Sequence, residues 1–169
     1  MTPHILRWLS EVVLRELPET YSVVEIGSLN VNGSARDVLG PGSSSWLGYN
    51  LSPGPGVDVV GRFEPKQTDS FDIIVCCECL EHDPEFWKAV NDMHASASAS
   101  SANGRAGLLC ITTPTIMVPY HNYDGDFYRF TKDAYRRVLF PPSKFDLLAL
   151  HETGGLPAQA ICGLGKYIT

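Results

Sequence analysis

VVEIGSLNVNGSAR, residues 23–36, joins an apolar run to a turn of glycine, serine and asparagine, with one acid at the junction. Val and Ile suit a strand, and glycine lets the backbone turn and approach a ligand closely. In a doubly wound sheet, ligands sit beyond the carboxyl ends of the strands, so this junction is the first candidate site. A dinucleotide site would need G-x-G-x-x-G, but Leu29 stands at the second glycine position. Glu25, two residues before Gly27, would repel a pyrophosphate and attract an ammonium. The loop therefore favours a zwitterionic or cationic ligand. An ordinary strand-to-helix turn reads the same residues equally well.

Working outward, further strand-length apolar runs are SWLGYNL (45–51), VDVVG (57–61), FDIIVCC (71–77), GLLCITT (107–113), FDLLALH (145–151) and AQAICGLG (158–165). HILRWLSEVVLREL (4–17) has the apolar spacing of an amphipathic helix, stopped by Pro18. DPEFWKAVNDMHASA reads as a helix with Asp83 as cap, Pro84 in its first turn and Phe86, Val90 and Met93 facing inward. TKDAYRRVL (131–139) is another, capped by Thr131 and ended by Pro141 and Pro142. HASASASSANGRAG (94–107) is low in complexity and reads as a flexible surface loop over about 95–106. Nearly continuous apolar strands alternating with helices predict an α/β fold, a mostly parallel sheet covered on both faces. We expect a single domain over 1–169.

Composition narrows the function classes. A 44% hydrophobic, 19% charged chain is globular, and no run reaches the length of a membrane span. The net charge of −6 argues against a broad nucleic-acid footprint, so nucleic acid is a disfavoured partner. No signal-peptide pattern is visible, and the expectation is a cytoplasmic protein. Five cysteines, Cys76, Cys77, Cys79, Cys110 and Cys162, lie mostly in apolar runs and read as reduced, buried thiols. C-C-x-C has no second pair at usable spacing, and no metal site is expected.

Five pieces in order, VVEIGSLNVNGSAR, WLGYNLSPGPGVDVVG, FDIIVCCECLEHDPEFWKAV, GLLCITTP and YDGDFYRFTKDAYRRVL, resemble class I S-adenosylmethionine-dependent methyltransferases, within them the small methyltransferase-11 type. The resemblance spans roughly residues 23 to 140. It implies a Rossmann-like doubly wound sheet of about seven strands, the last antiparallel and inserted beside the fifth. It also implies S-adenosyl-L-methionine as cofactor and a small-molecule methyl acceptor. Glu25, Gly27, Ser28, Asn32 and Gly33 would then hold the methionine part, Asn50 and Leu51 the ribose, Arg62 and Phe63 the adenine, with Cys77 and Glu78 beside the methionyl end. The alternatives are a cofactor-binding pseudoenzyme or interaction module, and an NADP-binding Rossmann protein.

Two positions depart from the family pattern. Asn50 stands where an acid usually accepts both ribose hydroxyls, a loss of about 1–2 kcal/mol because bonds to charged groups are stronger. Arg62 replaces an aspartate that usually accepts from the adenine amino group, and a guanidinium only donates. On the acceptor side, Glu81 and His82 follow the fourth strand, and Glu78 precedes them. Either they orient or deprotonate an acceptor, or they merely organise the start of the next helix. His121, Tyr123, Asp124, Asp126, Tyr128 and Arg129 form a polar-aromatic loop after the fifth strand; His121 and Tyr128 are the acceptor-facing candidates. A solvated Asp-Gly turn reads that loop equally well. Arg129, Lys132, Arg136 and Arg137 give a basic face, solvated or facing an anionic acceptor. The chain shows no added lid, so its pocket is expected to be open, or closed by a second copy, a partner chain or a bound macromolecule.

Overall fold

Helix α1 (Pro3–Trp8) runs through a π-helical turn, Leu9–Val13, into α2 (Leu14–Glu16). The structure is a computed structural model describing residues 1–121 and 125–168. Pro3 fits the first turn, where its missing N–H has no partner to lose. Of Ile5, Leu9, Val12, Val13 and Glu16, the positions whose spacing suggests an inward stripe, Ile5, Leu9 and Val13 are buried, Val12 is half-buried and Glu16 is exposed; Trp8 is buried beside them.

The strands are β1 (Tyr21–Ile26), β2 (Ser43–Asn50), β3 (Val59–Val60), β4 (Ile73–Cys77), β5 (Leu108–Pro114), β6 (Phe145–Thr153) and β7 (Ala160–Tyr167). They form one sheet in the order β3-β2-β1-β4-β5-β7-β6. β1 pairs parallel with both β2 and β4, and β4 pairs parallel with β5. β7 lies antiparallel between β5 and β6, as the resemblance implied. Alternate residues feed opposite faces. Val23, Val75 and Cys110 pack under α1, while Val24, Ile74, Cys76, Leu109 and Ile111 meet the other layer. All of β4 and β5 is buried, which is why both read as unbroken apolar runs. The chain order reverses between β1 and β4, and that places a crevice beyond their carboxyl ends.

The helices between the strands are α3 (Arg36–Leu39), α4 (Phe86–Ala102) and α5 (Lys132–Ala134), the last continuing as a π-helical turn, Tyr135–Leu139. Thr131 accepts from the Ala134 N–H, the expected cap. Two expectations are corrected. Asp83 accepts from the Glu85 N–H at 2.9 Å, but the regular helix begins only at Phe86. The stretch expected to be a loop over about 95–106 is helical through Ala102. Its alanines favour helix, and its small side chains fit against the sheet: Ser96, Ala97 and Ser100 are buried. Ser100 Oγ also accepts from the Phe71 N–H at 3.0 Å.

Small residues recur in β7 for a visible reason. A Cβ on Gly163 would meet the Tyr135 ring at 2.7 Å and the Phe140 ring at 2.8 Å. Tyr135 is fully buried there, its hydroxyl 2.9 Å from Thr113 Oγ1 and donating to the Ile161 carbonyl at 2.9 Å. Among the described residues, no helix is long and apolar enough to cross a membrane.

Candidate functional site

A cavity of about 710 Å³ opens at the crevice beyond β1 and β4. Its wall is built from the loops after β1, β2, β3 and β4, the ends of β5 and β7, and the start of α1. Glu25, Gly27, Ser28, Asn32, Gly33, Asn50, Leu51, Arg62, Phe63, Cys77, Glu78, Glu81, His82 and His121 all line it. Tyr128 does not. Its ring packs on Phe86 at 4.9 Å and its hydroxyl donates to the Pro84 carbonyl at 2.9 Å, so it braces the wall from behind. Tyr123 and Asp124 lie outside the described residues.

The floor is the loop after β1. Gly27 and Ser28 both donate to the Tyr49 carbonyl, at 2.9 and 3.0 Å, which ties the turn to the end of β2. Gly27 has φ +76, and a Cβ there would lie 2.5 Å from Cys79 Sγ; both facts require glycine. Ser28 Oγ is buried without a hydrogen-bond partner among the described residues, an orphan polar atom in a cavity wall. Asn30 Oδ1 accepts from the Gly33 N–H at 2.9 Å, and Asn32 is bonded to the Met1 nitrogen.

Glu25 is 3% exposed and accepts from Trp46 Nε1 at 3.2 Å. Burial pushes its carboxyl up to about 7, against the Trp46 bond and the Arg36 charge. Such a group ionises readily once a cation arrives. Asn50 Nδ2 donates to the Ser52 carbonyl at 2.9 Å, so its amide oxygen is the end left to accept. Phe63 stands edge-on to Tyr49, centroids 5.3 Å apart, and Leu51 sits exposed on the rim. Arg62 pairs with Asp83 at 3.3 Å across the mouth.

The opposite wall is acidic and strained. Glu78 is the non-glycine residue with positive φ among the described residues, at 49°, a conformation that costs energy and is common at functional sites. It is held by its N–H to the Thr112 carbonyl at 2.9 Å and by Thr112 Oγ1 donating to Oε1 at 3.1 Å. Glu81 is fully buried, and among the described residues neither carboxyl oxygen has a hydrogen-bond partner. Burial, with Glu78 adding repulsion, raises its carboxyl well above the ordinary range. His82 Nε2 lies 3.6 Å from Glu81 Oε1, and its Nδ1 meets the Gly125 carbonyl.

The loop after β5 brings in His121, its ring perpendicular to His82 with centroids 5.2 Å apart. Asp126 accepts from the His121 N–H at 2.8 Å and from Arg129 Nη2 at 2.7 Å. The Arg129 guanidinium holds the Asp126 carboxyl far below the usual carboxylate range. Arg129 is thus spent on the loop. Lys132 pairs with Glu152 at 2.8 Å and Arg136 approaches Asp133 at 3.9 Å, so both stand beside surface acids.

Sequence reasoning does not single out several of the lining residues: Tyr49, Asp92, Thr2 just before the first helix, and His4 within it. Asp83 reads in the sequence as a cap alone, yet it also anchors Arg62. An Arg at an expected acid position is the signal that calls for a partner. No sequence signal tells which wall the first helix covers.

No protein-family model matches the chain, and a search of curated protein sequences returns no match. Solved structures do. An S-adenosylmethionine-dependent methyltransferase from Clostridium acetobutylicum aligns with TM-score 0.63 at 12% identity, covering 95% of this chain and 89% of that one. The N-methyltransferase NodS from Bradyrhizobium japonicum, in complex with S-adenosyl-L-homocysteine, aligns at 0.60 and 12% identity over 98% of this chain and 85% of that one. Magnesium protoporphyrin IX methyltransferase from Synechocystis, with bound S-adenosylmethionine, aligns at 0.61 and 13% identity over 96% and 76%. At these identities the likeness concerns architecture, and the chain has the fold of the S-adenosylmethionine-dependent methyltransferases.

Proposed function

We propose that the protein is an S-adenosylmethionine-dependent methyltransferase acting on a small-molecule acceptor. The observation that carries this reading is the cavity floor, where a glycine cradle, an orphan serine hydroxyl and a buried carboxyl converge at the reversal in strand order. Glu25 and the loop to Gly33 would hold the amino-acid end, Asn50 the ribose and Phe63 the base. When bound, the cofactor supplies a methyl group on a sulfonium sulfur, an electrophile that needs no further activation. The protein's task is then to align an acceptor and exclude water. Glu81, His82 and His121 line the wall where an acceptor would stand.

Two features weigh against NADP. The helix after the first loop, α3, has four residues, too few to present a helix terminus to a pyrophosphate. Arg62, the cation placed to meet a 2′-phosphate, is paired with Asp83. The interaction-module reading has no support among the structural neighbours, which are methyltransferases by name.

Calorimetric titration tests the proposal. The reading expects saturable heat with S-adenosylmethionine and none with NADPH; the reverse pattern overturns it. Asn50→Asp should tighten S-adenosylmethionine binding by about tenfold, through the stronger bond of a ribose hydroxyl to a charged acceptor. Unchanged affinity would mean that the ribose lies elsewhere.

A further inference from the structure

The geometry points to a divalent transition-metal site formed by Glu81, His82 and His121 in the acceptor wall of the cavity. One ligand atom from each of the three side chains lies within 4.8 Å of the others. The sequence hides this grouping, because His121 stands far down the chain and joins Glu81 and His82 only when the loop after β5 folds over the end of β4.

Three observations favour a ligand set over a packed acid. Glu81 is fully buried, lines the cavity and, among the described residues, has two carboxyl oxygens without hydrogen-bond partners, a costly arrangement that a bound cation relieves. His82 donates through Nδ1 to the Gly125 carbonyl, which sets its tautomer and turns Nε2 toward Glu81, the outer-shell device that orients metal-binding histidines. His121 is backed by Asp126 Oδ2, 3.5 Å from its Nδ1, and Asp126 is itself fixed by Arg129. Tetrahedral ligands about a zinc ion stand ~3.3 Å apart, from bond lengths of about 2.0–2.1 Å. The set must close somewhat, and His121, 43% exposed in its side chain, is the ligand with room to rotate. In that rotation Nδ1 would give up Arg129 Nη2, now 3.2 Å away, and keep the Asp126 carboxylate, already 3.5 Å away, as its acceptor.

Two imidazoles and one carboxylate suit Zn²⁺ or Fe²⁺ rather than Mg²⁺, which prefers an all-oxygen shell. Three protein ligands leave a position open toward the cavity. Given the methyltransferase reading, on which this step rests, that position selects acceptors with a hydroxyl or phenol. The coordinated O–H would lose its proton to solvent, and the oxygen would stay on the metal as an anion, positioned and nucleophilic at neutral pH.

The full chain, washed with chelator, should be titrated with ZnCl₂ by calorimetry, and with CoCl₂ by absorption spectroscopy. One equivalent of zinc should bind, and Glu81→Gln and His121→Ala should each weaken it by about tenfold or more. His121 is at the surface, so His121→Ala should keep the wild-type melting curve without zinc and lose the upward shift that zinc gives the wild type. The cobalt spectrum should show visible d–d bands alone. Zinc affinity unchanged in both variants overturns the site; so does a strong near-ultraviolet sulfur-to-cobalt band, which would place the ion on the cysteines. Absence of zinc binding in a protein that still binds S-adenosylmethionine sinks the metal site and spares the cofactor reading. Zinc binding lost in the variants, without S-adenosylmethionine binding, upholds the site and sinks the other.

Discussion

Glu25 shows how one residue links folding to binding. The chain buries a carboxyl at the end of β1, and the cost appears as a proton held up to about pH 7. In the unfolded chain the same group releases its proton near its ordinary value of 4.5. The folded state therefore binds more protons between those values, and the contribution of Glu25 to stability falls as pH rises through that window. Its charged neighbours are Arg36, Asp37 and Asp58, with the thiols of Cys79 and Cys110 nearby. Glu25→Gln removes the titration. Urea unfolding across pH should show the stability of wild type, relative to Glu25→Gln, declining by about 3 kcal/mol from pH 4.5 to pH 7.5. Parallel pH profiles would show that Glu25 titrates normally. The same residue is legible in the sequence as a cavity acid, because a carboxylate between an apolar strand and a glycine turn stands where parallel strands present their ligands. Its burial is not legible, since that depends on Trp46 closing over it from β2.

At the scale of elements, the strands are readable and the contacts between layers are not. β4 and β5 announce themselves because both faces are covered and every residue must be apolar or small. α4 runs further than its composition suggests, because serine and asparagine usually mark loops. Here Ser96 and Ser100 face inward and let the helix approach the sheet closely; Ser100 accepts from the Phe71 N–H, while Ser96 Oγ is buried without a partner among the described residues. Gly163 makes the same point in β7, where the Tyr135 and Phe140 rings occupy the volume of its missing side chain. Gly163→Ala should destabilise the fold by about 1–3 kcal/mol through overpacking, read as a lower urea midpoint at unchanged m-value. An unchanged midpoint would mean that the helix after Thr131 shifts freely on the sheet.

For the whole molecule, the order of runs along the chain is enough to place the cavity, because parallel strands put their carboxyl ends on one edge. Residues that follow β1, β2, β3, β4 and β5 then meet without any of them being close in sequence. The pairings within that cavity are beyond reach of the sequence: Arg62 with Asp83 needs the turn after β4, and His121 beside His82 needs the fold of the loop after β5. The most direct test of the account is a crystal structure with S-adenosyl-L-homocysteine. The account predicts the amino-acid end over the Gly27–Gly33 loop within reach of Glu25, and a ribose hydroxyl on Asn50 Oδ1. Density for the nucleoside at Glu25, or a cavity that stays empty at saturating ligand while the fold is intact, would contradict it.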